Sequence, residues 1–126
     1  MWNAAPTAAT VNIFSQDNAT LQDAFTFGTP GDTTWSFAGM SFKMEVKASR
    51  DDAVPLLTLT SAGGQIVVDD VVQRVLHLNV PDTSIQASLP VATYTYDFIM
   101  LDGSTPPIRT VLMQGSLDIS KGVTED

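Results

Sequence analysis

Cysteine is absent from the 126-residue chain. That excludes a disulfide scaffold and any thiolate zinc site. Charge is scarce: 16% of residues are Asp, Glu, Lys or Arg, against roughly 25% in an ordinary soluble domain. Positive charge is scarcer still, with 6 Lys and Arg against 14 Asp and Glu and a net charge of -8. A chain this acidic does not hold a nucleic-acid backbone by counterion release, so nucleic acid is excluded as a partner. No apolar run approaches the roughly 18 residues of a membrane span. Met1-Trp2-Asn3-Ala4-Ala5-Pro6 lacks the basic and apolar regions of a secretory signal, so neither membrane nor export is expected.

What is there is apolar. Hydrophobic residues make up 44% of the chain, too many for a disordered segment and enough for one domain with a real core. A small lone domain needs a charged surface to stay soluble. The shortage of charge therefore points to surface that is covered inside an assembly.

Residues 1–20 are rich in Ala, Thr and Asn and hold one short alternation, Val11 and Ile13 against Asn12 and Phe14. They read as an extended N-terminal arm that needs something to lie on. From Leu21 the pattern becomes that of strands. Phe25 and Phe27 alternate with Ala24 and Thr26, and Gly28 to Asp32 is a turn cluster. Phe42, Met44 and Val46 alternate with Ser41, Lys43, Glu45 and Lys47 in the cleanest strand of the chain. Leu57 and Leu59, then Ile66 to Val68 after Gly63-Gly64, form a hairpin pattern. Leu76, Leu78 and Val80 follow.

Pro81 to Ser84 breaks the alternation, and Asp82 or Thr83 would cap a short helix ending near Leu89 and Pro90. Tyr94, Tyr96, Phe98 and Met100 share one strand face opposite Thr95, Asp97, Ile99 and Leu101. Asp102 to Pro107 is the last loop, and Val111, Met113, Leu117 and Ile119 line the return strand with Gly115 among them. Gly115 marks a bulge or a close backbone approach. The expected fold is all-β: an antiparallel immunoglobulin-like β-sandwich of about seven or eight strands with one short helix. Its expected layout is an arm over 1–20, a sandwich over 21–120 and a polar tail over 121–126.

Chemistry-bearing residues are few. His77 stands on the polar side of its strand, and no Gly-x-Ser-x-Gly turn accompanies it. Asp51-Asp52 and Asp69-Asp70 lack the spacing of a calcium loop, and a Glu45–Asp97 glycosidase pair has no supporting pattern. The expectation is no enzyme, no metal and no cofactor. Trp35 and Phe37 read first as aromatics capping the end of the sandwich; otherwise they are contact residues, since large aromatics anchor interfaces, and on that reading the interface candidates are Trp2, Ile13, Phe14, Trp35 and Phe37.

Gly39 to Lys47, Asp51-Asp52, Leu57-Thr58-Leu59 and Gly63 to Val68 form one outline with Ile85 to Pro90, Tyr94-Thr95-Tyr96-Asp97, Asp102-Gly103, Gly115 and Val123-Thr124-Glu125. In that outline residues 21–126 resemble small proteins encoded in phage and prophage tail-gene clusters. Two departures stand out: Val91-Ala92 replaces a glycine before the Tyr strand, and the N-terminal arm has no counterpart. The resemblance implies a virion structural protein, an adaptor or assembly component of a tail, baseplate, fibre or head vertex. It would bind other virion proteins, including further copies of itself, and reside in the virion. The alternative expectation is a carbohydrate- or host-surface-binding sandwich, with Trp35 or Tyr96 stacking on a sugar.

Overall fold

The structure is a computed structural model and describes residues 8–29 and 31–123. Among them the elements run β1 (Ala9–Thr10), β2 (Ile13–Gln16), β3 (Ala24–Thr26), β4 (Ser41–Lys47), β5 (Leu57–Thr60), β6 (Ile66–Asp70), β7 (Val75–Leu78), α1 (Asp82–Ser88), β8 (Ala92–Leu101) and β9 (Arg109–Ser120). The nine strands exceed the expected number because the segment before residue 20 contributes two.

The larger sheet has the order β1-β9-β8-β4-β5, with β2 continuing β1 along the same side of β9. The smaller has the order β3-β7-β6. Alternation decides which face of each is dry. Phe42, Met44 and Val46 on β4 meet Tyr96, Phe98 and Met100 on β8 across an antiparallel register, and all six are buried. Leu76 and Leu78 on β7 and Ile66 on β6 close the core from the smaller sheet. Phe27 stacks on Phe98 with ring centroids 6.0 Å apart, joining the layers by an aromatic contact in a chain without cysteine.

One phase change was not visible in the sequence. The β8–β9 register shifts between Phe98 and Ile99, whose partners are Met113 and Val111. Leu112 is the extra residue of a β-bulge. The bulge turns Leu112 and Met113 both inward and leaves Val111 on the outer face, 36% exposed. The expected inward row of Val111, Met113, Leu117 and Ile119 therefore loses its first member.

The segment over 1–20 is corrected in the same way. Within its described part, β1 and β2 pair in parallel with β9, Ala9 opposite Met113 and Ile13 opposite Leu117. Ile13 is in the core at 2% exposure, so residue 20 is no boundary between an arm and a sandwich. Gly115 makes this pairing possible. It has φ +154°, and a Cβ there would run into the Val11 carbonyl oxygen. The close approach expected at this glycine is therefore made by Val11, in the link between β1 and β2.

The short helix spans Asp82–Ser88, as expected, but neither Asp82 nor Thr83 caps it. Pro81 is the N-cap residue and Asp82 lies in the first turn, where its charge suits the helix dipole. Ile85 and Leu89 face the core. At the corner that follows, the Tyr94 hydroxyl donates to the Pro90 carbonyl. This matches the tyrosine corner of immunoglobulin-like sandwiches, in which a Tyr at the start of the strand ties back to the chain just upstream.

Candidate binding surface

The long connection between β3 and β4 carries Trp35 and Phe37, and it is organised by a residue outside the expected set. Arg74 ends the β6–β7 turn with φ +61° and is fully buried. Its Nε donates to Phe27 O at 2.8 Å and its Nη2 to Thr29 O at 2.9 Å. Its Nη1 reaches Asp32 O at 2.5 Å, and Trp35 O and Val72 O at 2.9 Å each. The guanidinium also lies over the Trp35 ring, 5.0 Å from its centroid. A buried charge costs several kcal/mol unless its donors are satisfied. Here carbonyl dipoles supply the compensation. Beside it, the Thr34 backbone and hydroxyl donate to Asp32 and hold that carboxyl below its ordinary range.

The result decides between the two readings of Trp35 and Phe37: they cap the end of the sandwich and are not interface residues. Trp35 is 6% exposed and Phe37 3%; the two pack on each other, and Phe37 packs on Phe42. With their carbonyl neighbours tied to Arg74, the connection folds over the end of the core instead of presenting its rings. Ile13 is buried too, so it packs inside the domain. Trp2 lies outside the described residues. Of the described candidates Phe14 is the one that faces solvent, at 69% exposure.

Phe14 sits on β2, which pairs with β9 on one side and with no named strand on the other. A shallow groove runs beside it, lined by Phe14, Gln16, Thr20, Leu21, Asp23 and Ser120. An aromatic ring on an open strand edge combines two things that extended peptides use for docking: unpaired main-chain groups and an apolar anchor. The sugar-stacking expectation fares differently. Trp35 is in the core, and Tyr96 is 2% exposed with its hydroxyl donating to Val11 O at 2.7 Å. Neither ring offers a platform.

The polar groups gather in two places. On the outer face of the larger sheet Glu45 and Asp97 are cross-strand neighbours. Asp97 pairs with Arg50 at 3.0 Å and Glu45 with Lys43 at 3.6 Å. On the smaller sheet His77 Nδ1 is 2.8 Å from Asp69 Oδ2, on the polar side of its strand as expected. Among the described residues no group of three or more His, Cys, Asp or Glu is placed to hold a metal ion. No described helix is long and apolar enough to cross a membrane.

The order β9-β8-β4-β5 repeats the G-F-C-C′ sheet of variable-type immunoglobulin domains, and β3-β7-β6 repeats B-E-D. The chain is thus an immunoglobulin-like β-sandwich. Comparison with known proteins found no matching family model and no matching curated protein.

Proposed function

We propose that the chain is a non-enzymatic virion structural protein, an adaptor or assembly component of a phage tail, baseplate, fibre or head vertex. It acts by binding other virion proteins. The outline of residues 21–126 supports the virion setting. Phe14, 69% exposed on the open β2 edge, is the observation that carries the binding role. A partner strand laid along this edge would pair its free main-chain groups and cover the ring together.

The test is a photo-crosslinking residue at position 14, introduced into the chain during phage production. The expected result is the chain in purified particles with a crosslink from position 14 to another virion protein. Particles lacking the chain, or an adduct pattern identical with the crosslinker moved to exposed Val72 on the β6–β7 turn, would overturn the reading.

A further inference from the structure

Exposed positive charge, Lys121 aside, gathers on one face. Arg74 is buried, and Lys121 lies 3.8 Å from Asp17 beyond the end of β9. The remaining cations, Lys43, Lys47, Arg50 and Arg109, all belong to the outer face of the larger sheet. Lys43 and Lys47 alternate with the buried residues of β4. Arg109 lies opposite Leu101 and in line with Ser41. Arg50 reaches back from the next loop to Asp97. Glu45, Asp97 and Asp118 share this face, so it is close to neutral. Lys121 aside, every other exposed charge among the described residues is a carboxylate, Asp51, Asp52, Asp69 and Asp70 among them.

The face is also ordered in rows. Lys43, Ile99 and Val111 stand side by side across β4, β8 and β9. The adjacent row is Glu45, Asp97 and Gln114. A cation with an apolar strip thus borders a pair of carboxylates. Two molecules of net charge -8 repel on approach, and the repulsion is least where each presents its neutral face. Alternating sign is self-complementary under a two-fold axis, the commonest symmetry of homo-oligomers.

We infer that two copies of this chain pair face to face through the outer surface of the larger sheet, about a two-fold axis passing between the Lys43 row and the Glu45–Asp97 row. That axis lays Lys43 of one copy over Glu45 of the other. It lays the Ile99–Val111 strip of each copy over Asp97 and Gln114 of the other. The ion pairs already within the face are exposed and individually weak. Covered by a second copy, they lose solvent screening and gain partners. The inference deepens the binding reading, for it names the second copy as a partner, and it rests on that reading.

Sedimentation of the full-length chain from about 1 to 100 µM tests it. The expected result is a concentration-dependent dimer, weakened about tenfold or more by molar salt. Two double variants sharpen the test: Lys43→Glu with Lys47→Glu, and Glu45→Lys with Asp97→Lys. Each is expected to be monomeric alone and to form a heterodimer when the two are mixed. Circular dichroism establishes that each is folded. Val111→Asp, a change at an exposed position, stands in if a double variant is not folded, and it is expected to abolish the dimer at every salt concentration. A wild-type chain monomeric throughout the range overturns the inference. So does a dimer indifferent to these changes, or a mixture that stays monomeric. The two readings fail separately: a monomer that still enters particles sinks the pairing alone, and a dimer absent from particles sinks the virion role.

Discussion

Arg74 holds a full positive charge in the interior with backbone carbonyls from Phe27, Thr29, Asp32, Trp35 and Val72 as its compensation. A shorter ammonium cannot reach that fork of acceptors. Arg74→Lys is therefore expected to lower unfolding free energy by about 3 kcal/mol or more, read by urea denaturation. Tyr96 offers a test in pH. Burial first, and then the nearby Asp97 charge, push its hydroxyl up to about 12, against about 10 in the unfolded chain. The folded state thus keeps a proton that the unfolded state loses. Its contribution is fully present below pH 10 and is lost as pH rises through about 12. Stability is expected to fall across that window, by less in Tyr96→Phe than in the parent, measured as urea midpoints at successive pH values.

At the scale of elements, β2 separates burial from binding within two adjacent positions. Ile13 points into the core and Phe14 into solvent. Ile13→Ala is expected to cost about 2–4 kcal/mol by leaving a cavity. Phe14→Ala is expected to change stability by less than about 0.5 kcal/mol while losing partner capture; thermal melts of both check the pair. The elements legible in the sequence were those with unbroken alternation: β4, β8, and the helix fenced by Pro81 and Pro90. The misread ones depended on contacts distant along the chain. The Val11–Asn12–Ile13–Phe14 alternation was visible, but nothing local says that its partner is β9, a hundred residues away. The Leu112 bulge leaves no composition signal, so Val111 was assigned to the wrong face. Arg74 looked like one scattered cation, because its role comes from carbonyls supplied by another loop. Trp35 and Phe37 stood open between a cap on the sandwich and an interface, because the Arg74 tie that decides for the cap has no local signal.

The whole molecule combines a dry sandwich with a surface that is acidic except on one sheet face. Self-repulsion at net -8 opposes compaction. At about 1 µM, where pairing is negligible, raising salt from about 10 mM to 0.2 M is expected to raise the thermal midpoint, since screening relieves that repulsion; a calorimetric or fluorescence melt reads the shift. A different property follows from the parallel pairing of β2 with β9. Gln16 lies beside Ser120 and Ile13 beside Leu117, and the chain enters this pair at one end of the sheet and leaves it at the other. Tension drawn between residues 9 and 120 slides the two strands past each other along their length. Their hydrogen bonds are then loaded together, in shear, instead of being peeled one by one. With Ile13 seated in the core beneath, the seam would act as a mechanical clamp, so that the domain yields late under a pull along its own axis.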